Sequence, residues 1–423
     1  MHQQLITLEN GLRVISLKET DKRSVSLGIW FNVGSRYEEK KEKGIAHFIE
    51  HMMFKGSQRF DKDQIKRSIE GVGGTLNAFT SEEFTCYLAK IPYQHIDLTL
   101  DVLCDMCLHP VFDAQELEKE RSVILEEMKM YKDHPAIYVN ELLDRLMWPD
   151  CSLGDPVIGY EENLLAMKRS DLVSFRDNFY VPNNTVISVC GYFDSDKLNK
   201  KISALFSGYK KKEVRAFKKV SKSSVSPQVK IFKKDTEQTH LSLGFYASKR
   251  KSPDRYALAV LNVIMGANMS SRLFDVIREK EGLAYSISSS LRKFHDAGLF
   301  LVRSGIKNEN LIKYIKLLLQ ELNRVKQELV SVNEFKRAKD FLIGQLELSL
   351  EDTLENMFFA GESIIALGKL DSLDAIVKKI EEVTPEQVKD LANKIFRKEA
   401  MNMAIIGPHE NKISELILKE LTL

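Results

Sequence analysis

The chain carries one pattern twice, and that duplication constrains its fold more than any other feature. VSLGIW (25–30) matches LSLGFY (241–246) at an offset of 216 (241 − 25), and Gly191 matches Gly407 at the same offset (407 − 191). Each glycine closes a strand-like run, TVISVCG or MNMAIIG, and each run follows a helical segment ending in an aromatic, Tyr180 or Phe396. Equal offsets at both ends indicate two tandem copies of one α+β unit. A length of 423 residues agrees, because single cores stop growing at roughly 250–300 residues. The copies are expected at 1–210 and 229–423, joined by a linker at 211–228. The stretch KKKEVRAFKKVSKSSVSPQ (210–228) is charged and Ser-rich with one Pro, as an exposed linker should be.

The first copy contains HFIEH (47–51), an H-x-x-E-H run. On a helix, residues three and four apart share a face, so His47, Glu50 and His51 project toward one point. Nine histidines in this composition would produce such a run by chance in roughly one or two chains per hundred. The flanks support a half-buried helix, since Gly44 ends the charged run Glu38–Lys43 and Ile45, Phe48, Ile49, Met52 and Met53 form an apolar face. This order is the inverted form of the zinc-peptidase motif: two histidines hold the metal, and the glutamate stays unligated to take a proton from the attacking water. At the same offset the second copy reads VIMGA (263–267), so a metal is expected in the first copy only.

Such a site needs a further protein ligand, often a carboxylate from elsewhere in the chain. DAQELEKERSVILEEMKMYK (113–132) reads as a helix with Asp113 as N-cap and Leu117, Ile124, Met128 and Tyr131 as its apolar stripe. Glu120 and Glu127 are seven apart and nearly eclipsed, while Glu126 points about 100° away. Glu127 is the candidate ligand, and Glu120 the carboxylate that orients a ligating histidine or assists proton transfer. A solvated acidic helix face would read the same way.

Other classes find little support. The net charge is +2, without an extended basic face interleaved with aromatics, so no nucleic-acid partner is expected, and the basic run Lys210–Lys222 reads as solvated linker. The opening MHQQLITLENGLRVI lacks the pattern of a signal or transit peptide, and no apolar run reaches membrane-spanning length, so a cytoplasmic location is expected. Five cysteines, at 86, 104, 107, 151 and 190, make no disulfide framework. Cys104 and Cys107 form a C-x-x-C near His109, but on an amphipathic helix ending at Pro110 they read as small core residues.

Five blocks, in order, carry a family resemblance over essentially the whole chain: GSRYEEKKEKGIAHFIEHMMFKGS (34–57), GGTLNAFTSEEFTCYLAK (73–90), ERSVILEEM (120–128), FYVPNNTVISVCGYFD (179–194) and IREKEGLAYSI (277–287). The chain resembles the pitrilysin/insulinase zinc metallopeptidases, in the branch of the mitochondrial processing peptidase and its bacterial relatives. The resemblance implies an α+β fold of two homologous domains, each a mainly antiparallel sheet packed with helices and together forming half of a clamshell chamber. Its distal glutamate lies about 76 positions beyond the second histidine, which selects Glu127 over Glu126, and its second glutamate falls on Glu120. It implies one Zn²⁺ per chain on His47, His51 and Glu127, with Glu50 as general base. The edge strand Asn77, Ala78, Phe79 and Thr80 is expected to pair with the peptide substrate. From sequence alone REKEGLAY (278–285) reads as a helix ending at Gly282; the resemblance makes Arg278 and Tyr285 the groups that hold the scissile carbonyl.

In single-chain relatives the zinc lies in the first of four such domains and the Arg/Tyr pair in the fourth. A homodimer, or a heterodimer with a metal-free paralogue, is therefore implied, with Arg278 and Tyr285 completing the site of the other chain. Relatives usually have a His before the Leu-Gly pair where this chain reads DCSLG (150–154), which bears on loop packing and not on the metal. Two other functions fit the resemblance: a dedicated maturation protease for one precursor, and a non-catalytic assembly subunit. The intact His47, Glu50, His51 and Glu127 argue against the latter.

Overall fold

The computed structural model describes residues 2–220 and 226–420, so positions 221–225 of the expected linker lie outside the described residues. The first half runs β1 (His2–Thr7), β2 (Arg13–Lys18), β3 (Ser24–Phe31), α1 (Ile45–Met53), α2 (Lys62–Glu70), β4 (Thr75–Thr80), β5 (Thr85–Pro92), α3 (Ile96–Leu108), α4 (Ala114–Asp133), α5 (Pro135–Met147), α6 (Glu161–Ala166), α7 (Arg169–Phe179), β6 (Thr185–Gly191) and α8 (Ser195–Phe206). The second runs β7 (Gln228–Lys233), β8 (Gln238–Tyr246), α9 (Arg255–Met265), β9 (Ala284–Lys293), β10 (Gly298–Lys307), α10 (Leu311–Gln327), α11 (Val332–Ser349), α12 (Thr353–Glu362), α13 (Leu373–Glu381), α14 (Pro385–Ile395), β11 (Met401–Gly407) and α15 (Lys412–Glu420). From β2 onward the two successions agree element for element, apart from α2.

The sheets repeat the agreement. Their strand orders are β1-β2-β6-β3-β5-β4 and β7-β11-β8-β10-β9, so the second is the first without β1. Among the described residues only β2 with β6 and β7 with β11 run parallel; every other strand pair is antiparallel. The fold is α+β with two homologous domains. One detail of the sequence alignment shifts: Gly28 lies opposite Ser188, whereas Gly244 lies opposite Asn402, so β6 and β11 correspond at an offset of 214 (402 − 188) and not 216. A two-residue slip keeps every side chain on its original face.

Each compact unit borrows from the other half of the chain. One comprises 1–128, 155–218 and 347–371; the other comprises 129–154, 219–346 and 372–423. A division at the linker therefore misassigns two segments. α5 lies across β8 and β11, packing Val139, Leu142, Leu143 and Met147 with Leu299, Leu301, Ala404 and Ile406. α12 lies across β3 and β6, packing Met357 and Ala360 with Trp30 and Val186. Periodicity marks both as amphipathic helices but does not say which sheet they cover. A central glycine makes room each time: a Cβ on Gly28 would stand 2.5 Å from Met357 Sδ, and one on Gly244 2.6 Å from Met147 Sδ. Covered on both faces, β6 and β11 are buried at every residue.

The basic linker is not merely solvated. Arg215 bonds the Tyr37 carbonyl at 2.8 Å and Glu42 at 2.7 Å, and also pairs with Glu39. Phe217 lies beneath the Arg36 guanidinium, 3.9 Å away. Among the described residues no helix is long and apolar enough to cross a membrane.

Candidate metal centre

α1 starts at Gly44, whose φ of +93° suits glycine. A side chain there would also collide with its neighbour, since a Cβ would lie 2.5 Å from the Ile158 carbonyl. The Glu38 carboxylate caps this end, accepting from the N–H groups of Gly44 and Ala46, both at 2.9 Å. Burial pushes the Glu38 carboxyl up to about 8 despite those two donors and nearby Lys43. Two members of the charged run, Glu38 and Lys43, are thus buried, with Lys43 paired to Asp155 at 2.9 Å. Ile45, Phe48, Ile49, Met52 and Met53 sink into the core, which leaves His47, Glu50 and His51 on the half-buried opposite face.

α4 supplies the second wall. Asp113 caps it, accepting from Gln115 and Glu116 at 2.9 and 3.0 Å, and Leu117, Ile124 and Met128 are buried. Arg121 anchors the helix through the Met167 carbonyl at 2.9 Å and the Leu164 carbonyl. With that stripe fixed, Glu120 is buried and Glu127 half-buried on the side of α1, while Glu126 is exposed.

Glu127 Oε2 stands 3.9 Å from His47 Nε2 and 3.6 Å from His51 Nε2, and the three ligand atoms lie within 4.8 Å of one another. These spacings are long for direct hydrogen bonds. A tetrahedral ion with bonds of about 2.1 Å needs ligand atoms roughly 3.4 Å apart, which the two glutamate–histidine separations approach. His47 Nδ1 is buried without a partner, so no bond at that nitrogen fixes the ring, in contrast to His51. Burial, with His51 adding to it, depresses His47 to about 4, so the ring is neutral at pH 7 and able to ligate. The donor set fits Zn²⁺.

Around the trio lies a shell of supporting contacts. Burial disfavours the charged form of His51, but Glu127 and Glu120 outweigh it and raise its pKa. His51 Nδ1 is 3.0 Å from Glu120 Oε2, so with Nδ1 protonated it donates to the carboxylate and turns the Nε2 lone pair to the centre. Glu120 Oε1 takes a second donor, Lys55 Nζ, at 2.6 Å. Glu50 belongs to neither set. Burial raises its pKa, and its Oε2 accepts from Thr80 Oγ1 at 2.6 Å.

Among the residues expected to bind substrate, Asn77, Ala78, Phe79 and Thr80 lie on β4, which pairs only with β5 and forms one edge of its sheet. Phe79 packs edge-on against Trp30, 5.7 Å between centroids, so its ring serves the core. Arg278 and Tyr285 belong to the other unit. Arg278 lies in a π-helical turn, Phe274–Lys280, over the Phe274 ring, and Tyr285 is the second residue of β9, at 77% exposure. The helical stretch ends before Gly282, whose φ is +61°. Cys104 and Cys107 are buried on α3, where burial pushes the Cys104 thiol up to about 12 and raises that of Cys107 well above the usual thiol range, so both remain protonated core groups.

Sequence reasoning missed Lys55, Glu38 and the partner of Thr80. Lys55 was detectable, being four residues past His51 and so on its face. The others rest on contacts that periodicity does not encode.

Fold and site define a class: a duplicated α+β chain in which one half presents two histidines and a glutamate, with a further glutamate beside them. The chain belongs to the insulinase family, peptidase family M16. Residues 13–161 match the family described as insulinase (peptidase family M16), and residues 166–342 match that described as the peptidase M16 inactive domain. An uncharacterized zinc protease of Bacillus subtilis is 37% identical over 405 residues, covering 96% of this chain and 98% of the relative. One from Streptomyces coelicolor is 34% identical, with 96% and 90% covered. In fold the chain is similar to a protease from Helicobacter pylori (TM-score 0.89, 22% identity, 96% and 99% covered) and to a peptidase M16 inactive domain from Pseudomonas fluorescens (0.88, 20%, 97% and 99%).

Proposed function

We propose that the chain is a zinc-dependent endopeptidase acting on peptides or unfolded polypeptide segments. The observation that carries this reading is the convergence of His47 Nε2, His51 Nε2 and Glu127 Oε2 within 4.8 Å, beside a glutamate that is not part of the trio. His47, His51 and Glu127 would hold Zn²⁺, one per chain. When bound, the ion polarises the scissile carbonyl and makes adjacent water more acidic. Glu50 takes the proton as water adds to the carbonyl and delivers it to the leaving amine. Its pKa, raised by burial, suits both halves of that task. Glu120 orients His51.

The peptide adds as a strand to the open edge of β4, along Asn77–Thr80, so backbone hydrogen bonds give affinity with little side-chain selectivity. Two chains form a dimer around a chamber. Arg278 and Tyr285 of one chain hold the carbonyl in the site of the other and stabilise the developing oxyanion. Their exposure supports a role outside their own core.

The deciding experiment combines metal analysis with cleavage of a quenched peptide library, with and without chelator, for wild type and Glu50→Gln. The substitution should leave zinc bound and cut the rate by roughly 10²–10⁴-fold, about 3–5 kcal/mol of barrier. Near-normal turnover by E50Q would remove Glu50 from its role, and chelator-insensitive cleavage would remove the metal.

A further inference from the structure

Glu50 has to accept a proton and then release it, and a carboxylate does this best when neighbouring groups lock its orientation. Thr80 Oγ1 stands 2.6 Å from Glu50 Oε2, the short distance typical of O–H···O⁻ bonds. The bond spans 30 residues and joins α1 to the last residue of β4. Thr80 is itself fixed by the hairpin. It pairs with Thr85 across a turn closed by Ser81 N–H to Phe84 O at 2.9 Å, and Thr85 Oγ1 donates to the Val33 carbonyl at 2.9 Å. A β-branched side chain on a fixed backbone has few rotamers, so the hydroxyl is aimed before any substrate arrives.

We infer that Thr80 is the positioning residue for Glu50: its hydroxyl holds Oε2 and fixes the base to the strand edge along which the peptide lies. This rests on the reading of Glu50 as general base and assigns Thr80 a role other than substrate contact. Register and base geometry then come from one hairpin, because the residue that ends the peptide-binding edge also holds the catalytic carboxylate.

The test uses the full-length zinc-loaded protein and its T80V, T80S, T80A and E50Q variants. Valine keeps the shape of threonine and removes the donor. T80V should lower kcat by roughly 10–100-fold with KM within about twofold and zinc per chain unchanged. T80S should recover most of the loss. A peptide hydroxamate, which gives a proton to the glutamate on binding, should bind T80V roughly tenfold more weakly by calorimetry, a readout independent of turnover. If T80V fails to fold, as judged by its melting transition, T80A carries the same expectations. Wild-type kcat in T80V beside an inactive E50Q would overturn the inference and leave the base assignment standing. So would a change confined to KM, or T80S as impaired as T80V. An active E50Q would remove the base, and with it anything for Thr80 to position.

Discussion

Replacing the three glutamates of α4 by glutamine, one at a time, should give a graded loss of zinc affinity that follows the direction each faces. Glu120 bonds His51 Nδ1 at 3.0 Å, and Glu127 Oε2 meets both histidines at 3.6 and 3.9 Å. Glu127→Gln removes one of three donors and the anion among them. Since losing a residue that merely orients a ligand costs roughly 10–100-fold, losing the ligand should exceed about 100-fold, or about 2.8 kcal/mol. Glu120→Gln should fall within that 10–100-fold range, because it weakens a charge-assisted bond and leaves the trio complete. Glu126 is exposed, so its substitution should stay within about 0.5 kcal/mol, roughly a factor of two. The assay is competition for zinc with a fluorescent chelator, with circular dichroism to show that α4 persists. An order in which Glu126 costs more than Glu127, or Glu120 at least as much, would refute the helix-phase argument.

Lys55→Met should lower kcat/KM by roughly tenfold with zinc retained, since it frees a buried carboxylate that orients His51, and Lys55→Arg should recover part of that loss; equal activity in all three proteins would dismiss the contact. In chelator-treated protein, His47 has a folded pKa of about 4 against 6.5 unfolded, so the unfolded state binds more protons between those values and the contribution of His47 to stability falls as pH drops through that window. The unfolding free energy of wild type relative to His47→Asn should accordingly decline by up to about 3 kcal/mol from pH 6.5 to 4, and a flat or opposite difference would contradict the burial argument. Mixing E50Q with Arg278→Ala subunits should restore up to about a quarter of wild-type activity, because random exchange makes half the dimers mixed and each mixed dimer has one competent site. No recovery despite demonstrated subunit exchange would refute the shared site.

The parts of this site that repeat with helical period were legible in the sequence. His47, Glu50 and His51 share a face by spacing, and Asp113, Leu117, Ile124 and Met128 set the phase that turns Glu127 inward and Glu126 outward. Contacts between distant segments were not legible. Glu38 reads as one more charge in a solvated run, yet it is buried because it satisfies two N–H groups at the start of α1, and nothing in its local sequence encodes that. Thr80 reads as a strand residue; only the packing of β4 beside α1 gives it Glu50. Internal alignment finds the duplication but misplaces β11 by two residues, since a slip of two conserves the inward and outward pattern on which such alignment depends.

The exchange of α5 and α12 bears on why a metal-free half persists in this chain. Met357, Ile364 and Ile365, contributed by the second half, bury against Trp30 and its neighbours at 0%, 0% and 8% exposure. At roughly 1.5–3 kcal/mol for each buried side chain, their contribution is roughly 5–9 kcal/mol, comparable to the whole net stability of a domain. Loss of the segment would also uncover Trp30, Leu88 and Val186 on the sheet that carries β4 and β5. That sheet fixes Thr80, and through it Glu50. The half without the H-x-x-E-H run therefore maintains the geometry of the half that has it, and substitutions in α12 should reach Glu50 through the sheet and not through His47, His51 and Glu127.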